Sequence, residues 1–411
     1  MSKEFIYACG ECDKEFPGNQ IMYLCPHCDQ TGTSRPPKGV FRILYNYLEI
    51  PHKTDIFEHL VSTGFIDLLP ITSLNYLPRL RIGNTPLYST SFLAGKTLPF
   101  ELYLKDDSQN PTFSFKDRAS ALVSAFARER AQNTIITAST GNAGSSLAGI
   151  CAAQHQKAIV VVPASAPIAK LIQILMYGAF IVPIAGSYDD AYDLSIHASQ
   201  NFGWYNRNTA YNPLTIEGKK TVSFELFRQM NRSIPDRIFV PVGDGAIISG
   251  VYRGYEDLFI LNLIDQIPVI VAVQSEGSPN LVNNLNSNKF KVKKSHTIAD
   301  SISVDYPRNF NMAKGYLDDY NGESVLVTDE EILSASELLA RNTGIFAEPA
   351  AAAAFAGMLK YYNEDRLKPG TKNVVLLTGS GLKDIQSVRS SIKIPDPIEP
   401  NLNEIKKIIH D

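Results

Sequence analysis

Three times in this chain an apolar, β-rich segment runs straight into a glycine turn and then a helix-forming stretch. Thr134–Ala138 leads into Ser139-Thr140-Gly141-Asn142-Ala143-Gly144, and Arg237–Pro241 into Val242-Gly243-Asp244-Gly245-Ala246. Val374–Leu377 leads into Thr378-Gly379-Ser380-Gly381-Leu382-Lys383-Asp384. Further strands are expected at Phe100–Lys105, Ala158–Val162, Phe180–Ile184 and Pro268–Gln274, with helices over Ile168–Tyr177 and Tyr188–Gln200. Such alternation implies an α/β architecture, with parallel strands covered by helices. Residues 40 to 78 read as helical in pieces, and 276 to 322 read as irregular.

Open α/β sheets bind ligands at the carboxyl ends of their strands, where these three turns lie. Glycine lets the backbone turn tightly, and the first turn of a helix offers unpaired N–H groups to an anion. One such turn alone more often serves packing; three at strand ends point to a shared site. The first suits a carboxylate or a phosphate. The second suits a phosphate cradled by the N–H groups of Gly243, Asp244, Gly245 and Ala246. The Asp244 carboxylate would repel that phosphate, so its side chain is expected to point away and cap the helix. A nucleotide would also fit, although G-x-x-x-x-G-K-[ST] is absent and none of the three turns reads G-x-G-x-x-G.

With 44% hydrophobic and 20% charged residues in 411, the chain can fill a core. A net charge of −3 gives no reason to expect nucleic acid or a membrane surface as partner. No apolar run approaches a membrane span, and the first residues lack a secretory signal, so a cytoplasmic protein with reduced thiols is expected. Four of the five cysteines form two C-x2-C pairs, Cys9/Cys12 and Cys25/Cys28, twelve residues apart. Two such knuckles on a hairpin complete a tetrahedron of thiolates, so a zinc ribbon is expected. Four sulfurs leave the metal no open position, which makes the site structural. The competing reading is a redox C-x-x-C pair, but that motif sits at a helix start beside a strand, a context not seen here. Cys151, in a small-residue helix, reads as an inert buried thiol.

Lys116 sits in Asn110-Pro111-Thr112-Phe113-Ser114-Phe115-Lys116-Asp117-Arg118. Asn-Pro-Thr makes a turn, and a helix is expected to start near Phe115. An unspecified lysine is most often a solvated one. Here two phenylalanines and small residues surround it, as suits a lysine held in a pocket. A desolvated lysine loses its proton more easily and can form a Schiff base with an aldehyde.

The run Phe115-Lys116-Asp117-Arg118 after Asn-Pro-Thr resembles the cofactor-lysine motif of fold-type-II pyridoxal-5′-phosphate (PLP) enzymes, especially threonine synthases. Ser139-Thr140-Gly141-Asn142 and Val242-Gly243-Asp244-Gly245 are similar to that family's carboxylate and cofactor-phosphate loops. Gly344-Ile345-Phe346-Ala347-Glu348-Pro349-Ala350 and Thr378–Asp384 resemble two further motifs of threonine synthases, some of which also carry N-terminal C-x-x-C pairs. The resemblance implies two open, mostly parallel α/β domains with PLP between them, and a likeness to lyases that form threonine from O-phospho-L-homoserine. It implies a zinc-ribbon-like segment over 1–35 and a large domain over 36–125 and 226–411. The small domain would span 126–225, and the protein would be a homodimer. Lys116 would carry the cofactor and act as base. Phe115, Asn142, the Gly243–Ala246 loop and Thr378 would contact the cofactor, Thr378 by facing its ring nitrogen. Ser139, Thr140, Gly141, Ala143 and Thr215 would face the substrate.

The chain departs from the family at two of these positions. Threonine synthases hold the substrate phosphate with an arginine in Asn-Pro-x-Arg-(Leu/Ile)-Glu-Gly. The matching stretch here is Asn212-Pro213-Leu214-Thr215-Ile216-Glu217-Gly218, and Ala143 replaces a threonine. Two outcomes follow. Either Arg207 or a lysine such as Lys170 or Lys219 supplies the missing charge, or the substrate is another amino acid. In the second case the reaction would be an ammonia-lyase or β-replacement reaction. A non-catalytic PLP- or zinc-binding regulator would not need Lys116, Asn142 and Thr378 together.

Overall fold

The structure, a computed structural model, describes residues 4–28, 36–50, 55–287, 289–389, 392 and 394–410. Branched and aromatic residues dominate the segments that become strands, as a pleated, buried surface favours. In chain order these are β1 Phe5–Cys9, β2 Glu15–Pro17, β3 Phe41–Tyr45, β4 Leu87–Leu93, β5 Lys96–Asp106, β6 Thr134–Ala138, β7 Lys157–Pro163, β8 Phe180–Ile184 and β9 Tyr205–Asn206. They continue with β10 Arg237–Pro241, β11 Val269–Ser275, β12 Glu323–Val327 and β13 Lys372–Leu377. The helices are α1 Ile56–Ser62, α2 Lys116–Glu129, α3 Asn142–Gln154, α4 Ile168–Met176, α5 Tyr188–Phe202, α6 Leu214–Lys219 and α7 Thr221–Gln229. After them come α8 Ala246–Ile260, α9 Phe310–Asp319, α10 Asp329–Thr343 and α11 Pro349–Asn363. Two more, Ile385–Arg389 and Leu402–His410, lie near the C-terminus.

The strands form three sheets. The largest has the order β12-β11-β10-β13-β5-β4, parallel except for the β4/β5 hairpin at its edge. Its central strands are buried on both faces, and their side chains alternate between two cores. Ile238 and Val240 of β10 pack with Ile248, Val251 and Tyr255 of α8, while Phe239 packs with Phe355 and Met358 of α11. Helix α11 lies close under the sheet because it is built from small residues. Ala350–Ala354 are almost completely buried, and a Cβ added to Gly357 would meet a Val273 methyl at 2.6 Å.

The second sheet, β8-β7-β6-β9, is parallel throughout. Residues of α3 and α4 cover one face and residues of α5 the other. The third, β2-β1-β3, is antiparallel and carries the first cysteine pair. Strand β3 and the hairpin strand β4 lie where the sequence suggested helical pieces or nothing, and β12 was likewise not anticipated. The boundaries expected at 125 and 225 fall inside α2 and α7, so the chain crosses between the two large sheets in helical form. The expected 1–35 segment includes residues outside the described ones. Among the described residues no helix is long and apolar enough to cross a membrane.

Candidate active site

The turns after β6 and β10 meet across a cavity of about 420 Å³, within the range usual for small-molecule sites. Ser139, Thr140, Gly141, Asn142 and Ala143 line one side, Gly243, Asp244 and Gly245 another, and Lys116 lies between them. A wall from Asp300 to Tyr306 completes the enclosure.

Lys116 is the first residue of α2, and the sheet fixes that helix start. The Phe115 N–H donates to the Thr378 carbonyl at 2.9 Å, directly after β13. Arg118, one residue beyond Asp117, is buried and pairs with both Asp107 and Glu225, its Nε 2.6 Å from Asp107. The Lys116 amine itself makes no hydrogen bond or ion pair among the described residues. Burial lowers its pKa from the usual lysine range; the Asp244 carboxylate opposes this and Arg207 reinforces it. A lysine poised this way is more often neutral, hence nucleophilic and basic.

The glycines of the two loops have different duties. Gly245 adopts φ +87°, in the left-handed region. Gly243 has a space problem: an added Cβ would lie 2.8 Å from the Ile302 Cα. These close approaches keep backbone N–H groups against the cavity, as an anion cradle requires. Asp244 caps the helix as expected, its Oδ1 accepting from the Ala246 N–H at 2.9 Å. It does not turn away, however, since it lines the cavity and its charge reaches Lys116. The Ala246 N–H is thereby occupied.

Four expected contacts, Phe115, Thr215, Ala246 and Thr378, are not among the cavity-lining residues. Phe115 is fully buried beneath Lys116, and Thr378 contributes its carbonyl to Phe115. Thr215 stands in the first turn of α6, and its hydroxyl donates back to the Asn212 carbonyl at 2.8 Å.

Two residues escaped the sequence reading. Asn142 donates its amide to both carboxylate oxygens of Glu348, at 2.8 and 3.0 Å. Glu348 is buried at the start of α11, and burial raises its pKa while Asn142 lowers it. Lys383 donates to the Thr112 carbonyl, Ser145 and Gln173, and burial pushes its pKa down to about 8. Both belong to stretches already singled out. The usable signal was a charge embedded in small and apolar neighbours, Phe346-Ala347-Glu348-Pro349 and Gly381-Leu382-Lys383.

Away from the cavity, Cys9, Cys12, Cys25 and Cys28 bring their sulfurs within 4.8 Å of one another, with Cys12 and Cys25 3.7 Å apart. Zinc–thiolate bonds of about 2.3 Å in a tetrahedron put sulfurs about 3.8 Å apart, so the donor set fits that ion. The module rests on the second sheet through Tyr23, whose hydroxyl accepts the Asn206 N–H at 2.8 Å and whose ring stacks on Tyr211. Cys151 is buried in α3, as expected.

Known proteins are similar to this chain. The threonine synthase of Methanocaldococcus jannaschii is 33% identical over 99% of this chain and 100% of its own length. That of Halalkalibacterium halodurans is 35% identical over 82% of this chain and 92% of its own. Among solved structures, threonine deaminase isoform 2 from Solanum lycopersicum matches with a TM-score of 0.65 at 21% identity, covering 86% of this chain and 87% of its own. Serine racemase from Dictyostelium discoideum gives 0.61 at 27%, covering 73% and 93%. The family described as pyridoxal-phosphate dependent enzymes matches residues 78–379, which include the cavity loops and Lys116. With a buried lysine, two glycine cradles and a parallel-sheet frame in one place, this chain belongs to the family of pyridoxal-phosphate dependent enzymes.

Proposed function

We propose that the protein is a lyase that converts O-phospho-L-homoserine and water to L-threonine and phosphate. The observation that carries the reading is Lys116, enclosed, unpaired and with a lowered pKa, between a carboxylate-type loop and a phosphate-type loop. The residues present fit PLP: Gly243, Gly245 and Lys116 line one cavity, and a side chain at either glycine would crowd the loop against its neighbours. The threonine synthases at 33–35% identity favour this substrate over others.

Bound there, PLP would supply an aldehyde for Lys116 and an electron-accepting ring. The N–H groups of Gly243 and Gly245 hold its phosphate. Asn142, its amide held by Glu348, would contact the cofactor's ring oxygen. The N–H groups and hydroxyls of Ser139 and Thr140 take the substrate α-carboxylate, with Gly141 shaping the turn and donating its N–H to the Ser139 hydroxyl at 3.2 Å. The free amine of Lys116 removes the Cα proton and returns protons as the γ-phosphate leaves and water adds at the β-carbon. In this reading Thr378, whose carbonyl accepts the Phe115 N–H, would be the ring-nitrogen partner.

One zinc ion on Cys9, Cys12, Cys25 and Cys28 would be structural, because four thiolates close its coordination sphere. A cytoplasmic homodimer is part of the same reading, supported by the family resemblance. Product analysis tests the function. Threonine and phosphate in equal amounts support it, whereas ammonia and a 2-oxo acid would replace it with the ammonia-lyase reading.

A further inference from the structure

Behind the cavity-lining Thr209 lies a buried guanidinium that its visible partners do not balance. Arg207 follows β9 and is completely buried. Its Nε donates to Ser120 at 3.2 Å, one helical turn beyond Lys116, and its Nη1 donates to the Thr209 hydroxyl at 2.7 Å. Its Nη2 is buried with no partner, and no carboxylate stands within ion-pair distance among the described residues. Lys219 is also fully buried, and its amine donates only to the Thr215 carbonyl at 2.9 Å. Burial lowers the pKa of Lys219, and the positive charges of Arg207 and Lys116 lower it further. The carboxylate whose field reaches all three is Asp244, which already accepts the Ala246 N–H. Uncompensated buried cations are costly unless an anion completes them.

Thr209 is where that charge meets the cavity. It lines the cavity, and its oxygen is already used as an acceptor by Arg207. The hydroxyl hydrogen has no acceptor among the described residues, so it is left to donate to a ligand. A hydroxyl held by a guanidinium is polarised towards donation. Its place also favours the substrate over the cofactor. The adjacent Asn208 side chain accepts from the Ala138 N–H at 2.8 Å and the Thr137 hydroxyl at 3.1 Å, at the foot of the Ser139–Ala143 loop. The Gly243–Gly245 cradle belongs to a different sheet.

We propose that Thr209, backed by Arg207, grips an oxyanion that the substrate carries beyond its α-carboxylate, with phosphate monoesters as the ligand class. This rests on the proposed reaction for its substrate, and it assigns the anion contact to the chain after β9 instead of to position 215. Thr215 is spent inside its own helix turn and cannot serve.

The test uses the PLP-loaded enzyme and inorganic phosphate as the probe, with calorimetric binding to the wild type, Thr209→Val and Thr209→Ser. A hydrogen bond to a charged group corresponds to roughly a tenfold to hundredfold change in affinity. Thr209→Val should lose phosphate affinity by that factor and raise KM for O-phospho-L-homoserine more than it lowers kcat. Thr209→Ser keeps the hydroxyl and should stay near the wild type, and PLP affinity should be equal in all three. Equal phosphate binding by wild type and Thr209→Val, or no binding by the wild type, overturns the proposal. So does a loss of PLP affinity matching the loss of phosphate affinity, since the anion would then be the cofactor's. If the wild type forms threonine but Thr209→Val behaves normally, only this inference fails. If phosphate binds through Thr209 but no threonine forms, only the proposed reaction fails.

Discussion

Gly243→Ala puts the cofactor loop under a defined steric load. The added Cβ would lie 2.8 Å from the Ile302 Cα and 3.2 Å from the carbonyl carbon and oxygen of Ile302. These are backbone atoms, so no side-chain rotation relieves the clash. Either the Gly243 loop or the 3₁₀ turn Asp300–Ile302 must move by several tenths of an ångström. Movement of the turn also shifts Ser301, whose hydroxyl accepts from the Asn142 amide at 3.3 Å. One methyl group therefore disturbs both the phosphate cradle and Asn142. Overpacking of this kind costs about 1–3 kcal/mol. If the cost falls on the loaded state, PLP affinity drops by roughly 5- to 150-fold. The assay is titration of cofactor-free protein with PLP, followed by absorbance, beside thermal unfolding of both forms. Cofactor affinity within twofold of wild type, with an unchanged Tm, would refute the reasoning and place the phosphate elsewhere.

Other perturbations report on other parts of the account. Arg118→Ala leaves Asp107 buried without its cation and Glu225 with Lys105 alone, and should destabilise the protein by about 3–5 kcal/mol in denaturant unfolding. Cys25→Ser should lower zinc content towards zero by metal analysis and loosen the N-terminal module, where thiolate binding contributes on the order of 10 kcal/mol, while PLP content stays intact. Gly315→Ala meets nothing within 4 Å inside α9 and should stabilise by about 0.5–1 kcal/mol, visible as a small rise in Tm. Lys383→Met should flatten a pH trend. The folded pKa of Lys383 is about 8, below that of the unfolded chain, so the unfolded state binds more protons between pH 8 and about 10.5. Wild-type stability relative to the variant should therefore rise with pH across that window, as urea unfolding at several pH values will show.

Much of the frame was legible because its signals are local. Strands β6, β8 and β10 are short apolar runs bounded by turns, and glycine marks the places where the chain enters a helix. Strand β4, Leu-Tyr-Ser-Thr-Ser-Phe-Leu, is a mostly exposed edge with polar residues, so its strand character comes from pairing with β5 and not from its composition. Strand β3 is buried in alternation, yet it pairs with β1 more than thirty residues earlier, a contact no local pattern reveals. At the site, Lys116 and the two loops could be named from sequence, but the direction of a side chain could not. Thr215 bonds within its own turn, Asp244 both caps and lines the cavity, and Arg207 stands behind the cavity wall on Thr209. Each depends on how helices pack against the two sheets.

The account stands or falls on which lysine carries PLP, because four lysines set into the protein, Lys105, Lys116, Lys219 and Lys383, have lowered pKa values. Borohydride reduction of the PLP-loaded enzyme fixes the cofactor to its lysine, and mass spectrometry of the digested chain locates it. The account predicts the label on Lys116 alone and its loss in Lys116→Ala. A label on Lys105, Lys219 or Lys383 in the wild type would contradict it.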